Sequence, residues 1–215
     1  MASGVDRSVT LHEDQERMLQ HLAHELRQPL SGIESIAYYL DMVLAAESPE
    51  IQVQCERLRR MVQHAHWLIE DAALAMRLPG MELAPVCLRE HLVRIGTEMA
   101  LHEERNLEIC VTEPLTRALM PPQLANCFCQ HLLSFFRGVA QAKDPIRVNL
   151  ENEPGFLRFD IQAEVYAEPD DLLRALDPMP PGSGVRRFVN YCSGQLRAKA
   201  EGQTLMLAVY FPAVD

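Results

Sequence analysis

Apolar residues recur every three or four positions through the first third of the chain. Leu19, Leu26, Ile33 and Leu40 share one heptad position, with Leu22, Ile36 and Val43 close beside them. This spacing predicts a long amphipathic helix from about Asp6 to Ala46 with a single apolar seam. Pro29 lies inside it and predicts a bend. Glu47-Ser48-Pro49 breaks the pattern, with Ser48 placed to cap a second helix and Pro49 at its first position. That helix is predicted from Pro49 to about Leu78. Ile51, Leu58, Ala65 and Ala72 alternate along it with Cys55, Val62, Ile69 and Met76, and Pro79-Gly80 ends it. Two long antiparallel helices with one stripe each cannot bury both stripes as a lone pair. The economical solution is a four-helix bundle built by two chains, which predicts a homodimer.

The pattern changes at Met81. Leu88 to Glu104 reads as a helix with Leu92, Ile95, Met99 and Leu101 among its apolar positions, and Asn106 to Thr112 reads as a short alternating strand. Pro122 to Gln141 is a proline-started apolar helix. Ile146 to Asn152 and Gly155 to Ala163 form a hairpin through Glu153-Pro154. Pro180-Pro181-Gly182-Ser183-Gly184 is a turn, and Gly184 to Cys192 a weaker helix. Gly194 to Ala200 and Thr204 to Pro212 form a second hairpin through Glu201-Gly202. Helices interleaved with antiparallel strands predict a two-layer α+β domain. The expected organisation is a helical hairpin over residues 1–80 and an α+β domain over residues 81–215.

Composition narrows the function classes. The chain has 215 residues, enough to bury a substantial core in one domain or two. A net charge of −10 argues against a nucleic-acid partner. No apolar run is long enough to span a membrane, and Met1 to Thr10 lacks a signal-peptide apolar region, so the expectation is a cytoplasmic protein without membrane attachment. The six cysteines, at 55, 87, 110, 127, 129 and 192, follow no disulfide framework and read as reduced thiols. Cys127-Phe128-Cys129 with His131 has the wrong spacing for zinc and reads as a buried helix; no metal site is expected.

The candidate chemistry is concentrated on the first helix. Counting Leu19 as position a, His24 falls at position f, opposite the seam, and Glu25 follows it. An exposed imidazole is competent as a nucleophile. The run Leu22-Ala23-His24-Glu25-Leu26-Arg27-Gln28-Pro29-Leu30-Ser31-Gly32-Ile33 closely resembles the H-box of sensor histidine kinases. The second half is similar to the ATP-binding domain of that family. Leu83-Ala84-Pro85-Val86-Cys87-Leu88-Arg89-Glu90 resembles its start, and Gly194-Gln195-Leu196 through Tyr210-Phe211-Pro212 its end. The resemblance covers nearly the whole chain.

The nucleotide motifs of the family are degraded. Its N-box, of the form N-L-L-x-N-A, supplies groups for magnesium and phosphates. The matching segment is His131-Leu132-Leu133-Ser134-Phe135-Phe136, with Phe135 at the key asparagine. Phenylalanine cannot ligate magnesium, which takes oxygen ligands. The family's D-x-G-x-G box reads adenine through its aspartate; here Ala163, Val165 and Ala167 stand at the aspartate and glycine positions. The later glycine box survives only as Gly182-Ser183-Gly184, weak support for a phosphate loop.

The resemblance therefore implies a histidine phosphotransferase built on a degenerate kinase core. His24 would accept a phosphoryl group and exchange it with an aspartate of a response-regulator receiver domain. No cofactor is expected on this chain, the magnesium belonging to the receiver. Glu25 would orient the imidazole or take its second ring proton. Gln28 stands where the family has threonine or asparagine for phosphatase activity. Arg27, Gln28, Ser31 and Tyr38 are the expected receiver contacts, although Arg27 also reads as a solvated surface arginine. An upstream histidine kinase is a further expected partner. Two other readings stay open: an active autokinase with a divergent nucleotide site, and a non-catalytic dimeric scaffold or kinase regulator.

Overall fold

The computed structural model describes residues 4–44, 49–102, 107–113, 116–141, 144–166, 168–176 and 183–214, with side chains from residue 21 onward except those of residues 100–102 and 175. The chain divides into two compact units, Met1–Arg77 and Leu78–Asp215.

The first unit is a helical hairpin of α1 (Gly4–Leu44) and α2 (Pro49–Met76). Pro49 opens α2 as the sequence predicts; Ser48 lies outside the described residues. Helix α1 runs on through Pro29. The seam that joins the two helices differs from the one that side-chain size suggests. Ala23 and Ala37 are buried, with Leu30 and Leu44 half-buried at the same heptad position, against α2 residues that include the buried Cys55 and Val62. Small residues let the backbones approach closely, and the larger ones are left outside. Leu26 remains 51% exposed, and Leu22, Ile33, Ile36 and Val43 on α1 and Met61 and Leu68 on α2 are exposed as well. Among the described residues, eleven of the thirteen large apolar side chains left exposed belong to this hairpin.

Ion pairs follow the antiparallel register. Arg59 donates to Asp41 and to Glu56, each at 2.8 Å, joining the helices near their connection. The hydrogen bond from Arg59 is the largest influence on Glu56 and, with the charge of Arg60, holds its carboxyl below the usual range despite partial burial. Arg27 pairs with Glu70 further along.

The second unit is a sheet with helices on one face. Its elements are β1 (Ala84–Val86), α3 (Leu88–His102), β2 (Leu107–Val111), β3 (Arg117–Met120), α4 (Pro122–Val139), β4 (Ile146–Glu153), β5 (Phe156–Glu164), α5 (Pro169–Leu176), α6 (Gly184–Tyr191), β6 (Gln195–Glu201) and β7 (Thr204–Val214). The strand order is β1-β3-β7-β5-β4-β2, with β6 also on β7; β2–β4 is parallel and the other pairs are antiparallel. Alternation sets the faces. Leu157, Phe159, Ile161 and Ala163 of β5 and Leu205, Leu207, Val209 and Phe211 of β7 are buried, while Arg158, Asp160 and Gln162 line the opposite face. That opposite face is held by Arg158, which reaches Glu151 at 2.9 Å, Glu153 at 3.2 Å and Asp160 at 2.9 Å.

Both predicted hairpins form. The first turns on Pro154-Gly155 rather than Glu153-Pro154, because Glu153 still pairs with Phe156 and Gly155 takes the positive φ of 78°. Strands β1 and β3 and helix α5 are additional to the elements that the sequence pattern predicts. Asn106 and the residues 180–182 fall outside the described residues. Cys129 and Cys192 are buried, which pushes their thiols up to about 12, so both stay protonated at neutral pH. No helix is long and apolar enough to cross a membrane among the described residues.

Candidate functional site

The structure places His24 on the exposed side of α1. Gln28, Ser31, Ser35, Tyr38 and Met42 follow it at steps of four and three residues and are exposed too, so they form one stripe below the imidazole. The face buried on α2, at Ala23 and Ala37, and the exposed apolar seam, at Leu26 and Ile33, lie on other sides of the same helix. One helix thus presents three separate faces: one pairs the hairpin, one is apolar and open, and one carries the histidine.

Around His24 the contacts are few. The amide Nε2 of Gln28 lies 3.4 Å from His24 Nε2, close enough to orient one ring nitrogen. Glu25 is exposed beside it. Arg27 is half-buried and turned toward α2, where it pairs with Glu70. Ser31 contributes its backbone carbonyl to the Ser35 hydroxyl at 2.8 Å. Tyr38 and Met42 are 65% and 66% exposed, two large side chains at the far end of a stripe that is polar up to Ser35. Three of the other histidines have different surroundings. His21 is exposed one turn earlier, His64 stacks on Trp67 at a centroid distance of 6.3 Å, and His131 is buried in the second unit. The sequence motif points to each residue of the stripe except Ser35 and Met42, and it places Glu70 only off the apolar seam of α2, with no tie to the site. The 3-4 repeat would have disclosed the first two; Glu70 follows only from the register of the hairpin.

The second unit bears on whether a nucleotide fits. The helix matched to the N-box is α4. It begins at Pro122 without a side-chain cap and buries Leu124, Ala125, Phe128, Cys129, His131, Leu132, Leu133, Phe135 and Phe136. Phe135 is 4% exposed and Phe136 fully buried, their rings edge to face at 5.9 Å. Phe128 stacks on Phe188 of α6 at 4.3 Å and meets Phe211 of β7 edge-on at 5.6 Å. These rings belong to the packed core, whose interior has little free volume. Ala163 is buried in β5, and Val165 is buried in a bridge to Ala140; Ala167 lies outside the described residues. Ser183 caps α6 by accepting from the Arg186 amide at 3.1 Å, as a turn before a helix should. The side chains of Phe135, Ala163 and Val165 carry no oxygen, so at these three positions no side chain can ligate magnesium or accept from adenine. Among the described residues no group of three histidine, cysteine or acidic side chains is placed to hold a metal ion.

No family model matches the sequence, and no curated protein matches it significantly. Solved structures do match its fold. The crystal structure of full-length ShkA in complex with AMPPNP is similar over 92% of this chain, with a TM-score of 0.53 and 22% identity, and the chain spans 46% of ShkA. The Acinetobacter baumannii histidine kinase AdeS is similar over 89% of this chain and 98% of its own, with a TM-score of 0.55 and 12% identity. The chain shares its fold, a helical hairpin followed by an α+β domain, with ShkA and with the histidine kinase AdeS.

Proposed function

We propose that this chain is a histidine phosphotransferase of two-component signalling, exchanging a phosphoryl group between His24 and an aspartate of a response-regulator receiver domain. The observation that carries the reading is the contrast between the two units. The hairpin keeps an exposed histidine with an open stripe beneath it, while the helix matched to the N-box turns aromatic rings into core. Transfer of this kind needs positioning and charge neutralisation more than covalent help. Gln28 orients the imidazole, and Glu25 accepts the proton that the ring gives up on attack. The receiver docks along Gln28, Ser31 and Tyr38, bringing its own magnesium. An upstream histidine kinase would charge the same receiver.

The apolar seam of the hairpin supports the homodimer. Burying a Leu or Ile side chain fully stabilises by about 1.5–3 kcal/mol, and the seam exposes several such side chains on one side of each helix. A second copy of the hairpin matches that seam by symmetry, completing a four-helix bundle.

A second reading, an autokinase, is favoured by one observation: ShkA, which shares the fold over most of this chain, is a complex with AMPPNP. Calorimetric titration with magnesium and ATP separates the two. Our reading expects no binding heat up to millimolar ATP. A dissociation constant from about 1 μM to a fraction of 1 mM, or about −8 to −5 kcal/mol, would favour the autokinase.

A further inference from the structure

Arg27 and Glu70 join α1 to α2 at the level of the histidine. Arg27 follows His24 by three residues, so the two are neighbours on the helix surface. Side chains on a helix lean toward its N-terminus and cover the preceding turn. The stem of Arg27 therefore lies toward the turn that carries His24, as Gln28 does when it approaches the ring at 3.4 Å. Glu70 holds the guanidinium from the α2 side. The two side chains are 37% and 42% exposed, and an ion pair that open to water is weak enough to exchange partners.

We propose that Glu70 is a positioning residue that competes with phosphohistidine for the Arg27 guanidinium. The proposal rests on the reading of His24 as the phosphoryl acceptor. A phosphoryl group on His24 brings close to two negative charges and three acceptor oxygens within one turn of Arg27. The guanidinium then chooses between a carboxylate on α2 and a phosphoryl group on its own helix, and its planar fork suits either. Whatever holds it to Glu70 is subtracted from its hold on the phosphoryl group. Glu70 thereby keeps the group transferable to a receiver instead of stored on the histidine.

Phosphoramidate tests this without any protein partner. A ring nitrogen of His24 attacks its phosphorus and forms the new N–P bond. The old P–N bond breaks, and ammonia leaves with the proton that the ring gives up. Phosphorus NMR then follows the second ionisation of the bound phosphoryl group, the His24 signal being the one absent from His24→Asn. A cation close to the phosphoryl group favours its dianion and lowers that ionisation. Glu70→Gln is expected to lower it by about half a pH unit and Arg27→Gln to raise it by about as much. The double variant is expected to match Arg27→Gln, because Glu70 acts through Arg27. A Glu70→Gln protein that titrates like wild type overturns the proposal, and so does a double variant in which the two shifts simply add. A wild type that takes phosphate on other histidines but never on His24 overturns the reading of His24 and the role of Glu70 with it.

Discussion

Replacing His24 with asparagine is expected to reduce phosphoryl acceptance from a phosphorylated receiver to background. Asparagine keeps the helix and a polar surface but has no ring nitrogen to attack phosphorus, and no second step can compensate for a missing nucleophile. His24 is exposed on a helix face that packs against nothing in its own hairpin, so the substitution removes no buried contact. The phosphorylated site should be acid-labile and base-stable, as a phosphoramidate is. His21 is also exposed one turn earlier but lacks a following carboxylate and the Gln28 amide, and it is expected to stay unlabelled. Mass spectrometry of the wild type and His24→Asn after incubation with the receiver checks both statements. Label on His21 or His64, or undiminished label in the variant, would contradict them.

The second large effect concerns assembly. Ile33→Asp is expected to prevent the proposed dimer from forming without unfolding the hairpin. Ile33 is exposed within one chain, so the carboxylate is harmless there; in the proposed bundle it would be buried without a partner. The effective penalty is several kcal/mol per buried ion, and symmetry applies it twice. At about 1.4 kcal/mol per factor of ten, the dissociation constant should rise at least about 1000-fold. Leu26→Asp should act in the same direction but lies close to His24, so Ile33 is the cleaner site. Sedimentation of both proteins at micromolar concentration, with circular dichroism to check helix content, measures the change. A monomeric wild type would refute the dimer.

The hairpin was legible because its periodicity is long and regular, and helix α2 begins at the proline that marks it. What the sequence hid was which apolar stripe faces which partner. Leu26 and Ile33 are larger than Ala23 and Ala37, yet the alanines form the intrachain contact, since closely approaching helices select small residues there. Periodicity reports that a face is apolar, not what covers it. In the second unit, both long hairpins were visible as alternating runs flanked by Gly and Pro. Strands β1 and β3 were not: at three and four residues they are too short to show a period, and they exist by pairing with each other and, through β3, with β7. Helix α5 is a similar case at eight residues. For the site, His24, Glu25 and Gln28 stood out because their motif is local. The Arg27–Glu70 pair spans 43 positions and depends on the antiparallel register, which no local pattern encodes.

The most direct test asks where the phosphoryl group comes from. The wild-type protein is incubated in parallel with magnesium and ATP alone, and with a panel of phosphorylated receiver domains, and His24 is then examined by mass spectrometry. The account predicts phosphate on His24 from at least one receiver and none from ATP. Phosphate on His24 from ATP alone, with the receivers giving none, would contradict it.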